Sequence, residues 1–378
     1  MTRRERLEAT LRGDEVDRPA VSFYEIGGRK IDRFDQDPFN IYNSPDWWSI
    51  LDLAERETDL MRMMSPVAIP TRSNCREDYF SSDRWEEGVY RYNKTTIKVA
   101  GKTLTSLQRR DRDSGISWTL EHPLKEVGDV RAYLQLPDEV FEYDYQVDTL
   151  LQEENALGDT GIAMVDLADP LCVAARLFSM EDFLVFAATE GPLFHELLSQ
   201  AARWIYPMVE SVSKAIPGRL WRACGSEYAS EPYLPASLYA EYWLQYTEPI
   251  IRVVQGDGGY VRVHSHGRLK NILPLIRVSA AAGIDPIEPP PLGDVELNDV
   301  RKDYGQQMVL FGNIEVVDIE RLPPQQFAQK LRKTLREGTK GSGRGFVLQP
   351  SACPNGRSLS PYTLPNYKSM VNAVKKLA

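Results

Sequence analysis

The amino-acid sequence predicts an α/β protein with a (β/α)8 barrel fold, also called a TIM barrel, and three observations support it. Eight short apolar segments have the length of β-strands, helical patterns follow most of them, and no G-x-G-x-x-G motif follows a strand, as a dinucleotide-binding sheet would require. The predicted strands cover residues 20–25, 59–64, 161–167, 219–225, 259–264, 284–288, 308–312 and 345–349. A chain of 378 residues, 42% of them hydrophobic, can form such a barrel as one domain over residues 1–378.

Helix signals lie between the strands in the order that a barrel needs. Thr2-x-x-Glu5 has the pattern of a capping box and Gly13 that of a helix stop, so a helix precedes the first strand. Ser179 begins a helix that pauses at Gly191-Pro192. Gly283 ends the helix before the sixth strand.

Residues 75–120 break this alternation of strands and helices. Short β-like runs, VYRYN, TTIKVA and SWTLEH, are separated by the turn signals Gly88, Gly101 and Asp113-Ser114-Gly115. We predict that this stretch is an inserted antiparallel β-hairpin unit.

Composition and charge exclude several classes of protein. The net charge of −9 disfavours nucleic-acid binding. The four cysteines are scattered and do not form a disulfide framework, which favours a reducing compartment. The first residues lack the apolar stretch of a signal peptide, and no apolar run is long enough to span a membrane. We therefore expect a cytoplasmic protein that acts on a small molecule.

Polar and ionisable residues follow almost every predicted strand. The active site of a (β/α)8 barrel is formed at the carboxyl ends of its strands, so these residues are the functional candidates. They are Glu25, Asp166, Glu227, His264, His266, Glu288, Asn313, Glu315 and Cys353.

His264-x-His266 is the most specific of these features. Residues i and i+2 of an extended segment face the same side, so both imidazoles can aim at one point, and imidazole is a common zinc ligand. A hydrogen-bonded pair in the core or the substrate site is the other interpretation. Cys353 fits either a soft metal ligand or an inert small hydrophobe, and Glu227 fits either a ligand or a solvated loop residue.

Glu288 and Glu315 are candidates for moving protons. Glu288 lies in Asp285-Pro-Ile-Glu-Pro-Pro-Pro, where the prolines fix the backbone, and Glu315 follows Gly312-Asn313, where the glycine lets the backbone approach a ligand. We predict that Glu288, Glu315 and Asn313 are catalytic, by transferring protons or holding the substrate.

Several segments, taken in order, resemble the uroporphyrinogen decarboxylase superfamily. They are TRRERLEATLRGDEVDRPAV, MEDFLVFAATEGPLFHELLSQA, YLPASLYAEYWLQYTEPIIRVV, HSHG, GIDPIEPPPLGD, LFGNIE and FVLQPSACPNGRSLSPYTLPNYKSMVNA. The resemblance covers almost the whole chain apart from the insert. It implies a (β/α)8 barrel and a homodimer.

One activity of this superfamily is the decarboxylation step of haem synthesis, which uses no metal or cofactor. Its members bind the carboxylates of the substrate through an Arg-Gln-Ala-Gly-Arg run. The corresponding residues 23–29 here lack the first Arg and the Gln and include Glu25, which would repel a substrate with many carboxylates. The resemblance implies instead that Tyr24, Glu25 and Asp166 contact another substrate.

The other activity is zinc-dependent methyl transfer with a corrinoid protein. In that branch a His-x-Cys pair after the fifth strand and a Cys after the eighth hold the zinc. His264 matches the first ligand, His266 replaces the Cys, and Cys353 lies one residue beyond the late Cys. The resemblance therefore implies a zinc site of His264 and His266 with Cys353 or a carboxylate such as Glu227.

These features together predict an enzyme that transfers methyl groups between a small methylated substrate or thiol and a corrinoid protein. One alternative is a metal-free decarboxylase that acts on a smaller acid. A second is a glycoside hydrolase that uses two of Glu227, Glu288 and Glu315, and a third is a binding protein without catalysis. Metal content separates the first reading from the others.

Overall fold

The structure, a computed structural model, describes residues 1–377. Its strands are β1 (Ala20–Val21), β2 (Leu60–Met64), β3 (Val67–Pro70), β4 (Phe80–Glu87), β5 (Tyr90–Val99), β6 (Lys102–Asp111), β7 (Ser117–Glu121), β8 (Tyr143–Gln146), β9 (Gly161–Ala168), β10 (Leu220–Cys224), β11 (Tyr260–Ser265), β12 (Gly283–Pro286), β13 (Val309–Ile314) and β14 (Phe346–Pro350).

Its helices are α1 (Arg3–Arg12), α2 (Glu25–Gly28), α3 (Pro45–Glu57), α4 (Arg76–Tyr79), α5 (Val127–Tyr133), α6 (Asp148–Leu157), α7 (Pro170–Ala175), α8 (Met180–Thr189), α9 (Gly191–Ala215), α10 (Ala236–Tyr239), α11 (Gln245–Gly256), α12 (Leu273–Val278), α13 (Leu297–Tyr304), α14 (Val316–Arg321), α15 (Pro324–Gly338) and α16 (Thr363–Lys375). Within residues 1–377, no helix is long and apolar enough to cross a membrane.

Eight of the strands form one curled parallel sheet in the order β1-β14-β13-β12-β11-β10-β9-β2. Each of them overlaps one of the eight predicted strands, so the (β/α)8 fold is confirmed. The first strand is shorter than predicted, because β1 ends at Val21 and Glu25 already begins α2. Tyr24 and Glu25 therefore lie beyond the strand, in the loop above it.

Asp59, the residue before β2, joins the two outer strands of this sheet. The backbone N–H of Val21 donates to the Asp59 carboxylate at 2.8 Å, and the Asp59 N–H donates to the Val21 carbonyl at 2.8 Å. The guanidinium groups of Arg6 and Arg18 hold the same buried carboxylate at 2.5 and 2.8 Å. This cluster closes the barrel where the ladder between β1 and β2 is missing.

The predicted antiparallel insert is present and is larger than expected. It forms a four-stranded sheet in the order β4-β5-β6-β7, and β3 and β8 add a separate two-stranded ribbon. Arg91 on the sheet binds Asp37 at 2.7 Å, and Ser114 bridges to Gly356. The insert therefore rests on the loops that follow β1 and β14, beside the carboxyl ends of the barrel strands.

The lower half of the barrel interior is apolar. Leu7 and Leu11 of α1 cover the amino ends of the strands and pack against a buried cluster of inward-facing side chains. The strand residues of that cluster are Ala20, Met61, Ile162, Met164, Leu220, Val309, Phe311 and Val347. Capping-box hydrogen bonds between Thr2 and Glu5 start α1, and Gly13 ends it in the left-handed conformation, as the sequence predicts.

Candidate active site

The upper half of the barrel interior is charged. Side chains alternate in and out along a strand, so Arg222 and Arg262 follow the apolar lower layer by two residues on β10 and β11. The Arg222 guanidinium binds Asp166 through two hydrogen bonds, at 2.8 and 3.0 Å. Arg262 lies 2.9 Å from Asp285 and donates to the Gln349 side chain at 3.2 Å.

Gly283 makes room for this upper layer. A Cβ atom at Gly283 would lie 2.8 Å from the Phe311 ring, too close for any side chain. The Phe311 ring instead occupies that space and stacks under the Arg262 guanidinium, with 4.7 Å from Cζ to the ring centroid. The position of the Arg262 guanidinium therefore depends on the Phe311 ring, and the position of the ring depends on glycine at residue 283.

His264, at the top of β11, is held from the neighbouring strand. His264 and Asp285 are register partners on β11 and β12, and His264 Nδ1 lies 2.9 Å from Asp285 Oδ2. Burial alone would raise the pKa of Asp285, but the charges of Arg262 and His264 outweigh it and lower that pKa to about 2. Asp285 is therefore an ionised acceptor, and His264 Nδ1 carries the proton in their hydrogen bond.

His266 is held in the same way by Glu288, the residue that the proline-rich segment predicts to lie beside it. His266 Nδ1 lies 2.8 Å from Glu288 Oε1, and the Gly267 N–H donates to Oε2 at 2.6 Å. Burial lowers the pKa of His266, but the hydrogen bond and the charge of Glu288 outweigh it, and the pKa is raised overall. The two imidazole rings are 4.7 Å apart and perpendicular.

Glu315 is a buried carboxyl group that is ready to exchange a proton. Its Oε2 accepts from the Ser351 hydroxyl at 3.1 Å, while its Oε1 is buried without a hydrogen-bond partner among residues 1–377. Burial, and then the charge of Glu288, raise the pKa of Glu315 to about 7. Both protonation states of the group are therefore accessible near neutral pH.

Asn313 does not join the histidines. Its Oδ1 accepts from the Thr334 hydroxyl of α15 at 3.2 Å, on the outer side of β13. Asn313 is buried there between strand and helix. The structure thus gives it a contact that links the strand to its helix.

Tyr24, Glu25 and Cys353 lie on another side of the same mouth. The Tyr24 ring stacks on His264 with centroids 5.9 Å apart, and its hydroxyl contacts Arg222. Glu25 pairs with Arg29 at 2.5 Å and accepts from the Cys353 thiol at 2.8 Å. Burial, and then the charge of Glu25, raise the pKa of the Cys353 thiol well above its usual range, so it is a neutral donor.

Asp166 and Glu227 are acids of the mouth that remain open to a ligand. The Asp166 side chain is 32% exposed even though it pairs with Arg222. Glu227 lies in a short turn whose Ser226 hydroxyl donates to the His264 carbonyl at 3.2 Å. Glu227 Oε2 is buried and has no hydrogen-bond partner among residues 1–377.

The donor set fits a divalent metal through two imidazoles and one carboxylate. Both Nδ1 atoms are bound to carboxylates, so both Nε2 atoms remain as donors, as is usual for histidine ligands. Glu227 adds an unpartnered oxygen, whereas the Cys353 thiol is bound to Glu25. In residues 1–377, however, no three His, Cys, Asp or Glu side chains are already gathered into a metal site. Glu227 would have to move toward the rings.

Sequence reasoning missed Arg222, Arg262 and Asp285. Each lies inside a short apolar strand, where a charged residue is costly unless it is paired. The spacing Arg262-x-His264 was the available signal, because it puts the arginine on the same face of the strand as a functional candidate.

Comparison with known proteins assigns the family. The model of the family described as Uroporphyrinogen decarboxylase (URO-D) matches residues 113–377, well over half of the chain. The chain belongs to the uroporphyrinogen decarboxylase family. No curated protein matches the sequence.

Solved structures similar to this family member include a methyltransferase from Methanosarcina mazei. It has 13% sequence identity and a TM-score of 0.59, and the match covers 100% of this chain and 99% of that one. At this identity the match shows a shared fold, which agrees with the predicted (β/α)8 barrel. D-psicose 3-epimerase from Clostridium cellulolyticum H10 also matches, with 9% identity, 61% of this chain and 92% of that one covered, and a TM-score of 0.32, too low to support an argument.

Proposed function

We propose that this family member transfers a methyl group between a small substrate and a corrinoid carried by a partner protein, with one divalent metal, zinc, at the mouth of the barrel. The observation that carries the proposal is the pair His264 and His266, each fixed at Nδ1 by its own carboxylate. Two histidines held in this way on one strand end are the arrangement that histidine ligands adopt in metal enzymes. Glu227 is the third ligand of the proposed site.

Each residue of the mouth has its own role in the proposed reaction. Bound zinc would act as a Lewis acid that lowers the pKa of a thiol or alcohol in the substrate. Glu315, with a pKa of about 7, accepts the proton that the substrate releases. Tyr24, which stacks on His264, and the partly exposed Asp166 contact the substrate, and Glu288 keeps the His266 ring in place.

Metal analysis tests the proposal directly. Protein purified without a His tag or chelator is expected to contain close to one zinc per chain, and His264→Ala should lose it. His122→Ala is the matched control, because His122 follows β7 of the insert and its one hydrogen-bond contact within residues 1–377 is with the Arg176 carbonyl, at 3.4 Å. A chain that is folded and fully active without metal would overturn the proposal.

A turnover assay then tests the methyl transfer. Methylcobalamin is offered under anaerobic conditions with a panel of small thiols and alcohols. The zinc-loaded protein should move the methyl group to the sulfur or oxygen of the acceptor, which loses its proton, and release cob(I)alamin, so the change in visible absorption reports the rate. The same protein stripped of zinc should be inactive, and adding zinc back should restore the activity.

A second candidate is the metal-free decarboxylation of a small acid. It is supported by the match of residues 113–377 to the family model described as Uroporphyrinogen decarboxylase (URO-D). Uroporphyrinogen itself should not be a substrate, because Glu25 lies where the decarboxylase signature binds carboxylates. An anaerobic assay that yields coproporphyrinogen at enzyme-like rates would contradict this expectation. Turnover of a smaller acid by zinc-stripped protein would favour the second candidate over the first.

A further inference from the structure

The two histidines of the mouth are held by carboxylates in different surroundings. The His264 side chain is 9% exposed and its partner Asp285 is fully buried, whereas the His266 side chain is 38% exposed. Asp285 is itself held by Arg262, which is buried and stacked on Phe311. Glu288 is held on its other oxygen by a backbone N–H. Only His264 therefore stands at the end of a buried chain of charged groups.

The chain Arg262–Asp285–His264 leaves one arrangement of protons. Arg262 Nε lies 2.9 Å from Asp285 Oδ1 in a fully buried ion pair, and this positive charge favours the ionised form of the carboxyl group, although the contact does not have hydrogen-bond geometry. Oδ2 faces His264 Nδ1 at 2.9 Å, and an ionised carboxylate can only accept. The imidazole proton must therefore be on Nδ1, which leaves the Nε2 lone pair free.

Nothing else in the described chain competes for the other nitrogen. Nε2 of His264 forms no hydrogen bond with a residue in 1–377, and the ring is packed on one face by Tyr24. A neutral histidine can bind a metal or take a proton only through the nitrogen that lacks hydrogen. The tautomer of His264 thus decides whether it can function at all.

We infer that Asp285, oriented by Arg262, is a positioning residue that fixes His264 as the Nδ1–H tautomer and so presents Nε2 to the mouth of the barrel. The assignment of the proton to His264 Nδ1 is supported by the geometry alone, whereas its consequence for zinc binding rests on the proposed function. Glu288 does not share this task, because it acts on His266.

Asp285→Asn gives a sharp prediction. The positive charge of Arg262 attracts the amide oxygen of the new side chain and repels its NH2 group, so the oxygen stays beside Arg262 and the NH2 group turns toward His264. His264 Nδ1 must then accept a hydrogen bond, which moves the imidazole proton to Nε2. The variant should therefore reverse the tautomer of His264.

Nitrogen-15 NMR of histidine-labelled, zinc-stripped protein reads the tautomer directly. His264→Gln assigns the His264 signals. In the unmodified chain the proton should be on Nδ1, and in Asp285→Asn on Nε2. Glu288→Gln is the matched control, which should change the signals of His266 and leave those of His264 unchanged. Unmodified protein with the proton on His264 Nε2, or Asp285→Asn with the proton still on Nδ1, would overturn the inference.

Zinc titration of the same samples adds the functional consequence. Asp285→Asn should bind zinc about 10- to 100-fold more weakly, the usual loss when the partner of a histidine ligand is removed. If Asp285→Asn does not fold, the spectrum of the unmodified chain alone decides the tautomer. If the tautomers are as inferred and no sample binds zinc, the proposed function fails and the positioning role stands.

Discussion

The two halves of the barrel interior differ in what they contribute. On β10, Leu220 belongs to the apolar lower layer, and two residues further along the same strand Arg222 pairs with the partly exposed Asp166. On β11 and β12, Arg262 and Asp285 form a fully buried ion pair. Burying an ion pair costs about as much in desolvation as the attraction returns, so the upper layer adds little stability. The lower layer stabilises the barrel, and the upper layer is retained for chemistry.

The largest expected effect comes from the upper layer. His264→Ala removes the ring at the end of the buried charged chain and should lower turnover about 10²- to 10⁴-fold, the range of a group that acts directly in catalysis. The unfolding temperature should also fall, because the loss of the imidazole leaves the buried Asp285 Oδ2 without its hydrogen-bond partner. Steady-state kinetics and calorimetry check the two expectations, and a large loss of stability with normal turnover would reverse the assignment of the two layers.

Met164→Ala tests the lower layer. Met164 is 1% exposed among the side chains that fill the barrel, so its truncation should cost about 2–5 kcal/mol of unfolding free energy. Denaturant titration measures that loss. Turnover of the folded fraction should stay within a few-fold of normal. A comparable fall in kcat would mean that the two layers are not independent.

Glu288→Gln sharpens the comparison within the upper layer. The amide keeps the shape and removes the charge that holds His266, so turnover or zinc affinity should fall at least about ten-fold while the melting temperature stays nearly unchanged. Unaltered kinetics and unaltered zinc affinity together would show that the pair is structural.

Glu315→Gln should have the smallest effect on stability, and that effect should depend on pH. The folded pKa of about 7 exceeds the ordinary value of 4.5, so between these values the folded chain binds more protons than the unfolded chain. The free energy of unfolding of the natural chain therefore falls as pH rises through this window. Glutamine does not titrate, so the stability of the variant relative to the natural chain should rise from pH 5 to pH 8. Denaturant titration at several pH values checks the sign, and a constant difference would place the pKa of Glu315 elsewhere.

The strand pattern made the barrel predictable, because each buried strand is a short apolar run bounded by glycine, proline or polar residues. The ribbon of β3 and β8 was not predictable, since both strands are short and largely exposed, and they pair across 73 residues or more. Their pairing therefore depends on the rest of the fold and leaves no local signal.

The candidate site was predictable in its positions but only partly in its contacts. The strand ends located His264, His266 and Glu288 correctly in space. The pairing of Cys353 with Glu25 joins residues 328 positions apart, and Asn313 turns toward α15, which depends on packing that sequence patterns do not encode. Contacts of this kind follow from the completed barrel.

Gly283 affects the positions of the charged groups in the mouth although it has no side chain. Any replacement would displace the Phe311 ring. The displacement would pass in turn to the Arg262 guanidinium, the Asp285 carboxylate and the His264 imidazole, each of which contacts the one before it. In a library randomised at this one codon, selection for activity should return glycine almost exclusively, although the position touches no ligand. Protein engineers who redesign the mouth for new substrates would therefore have to keep glycine at this position.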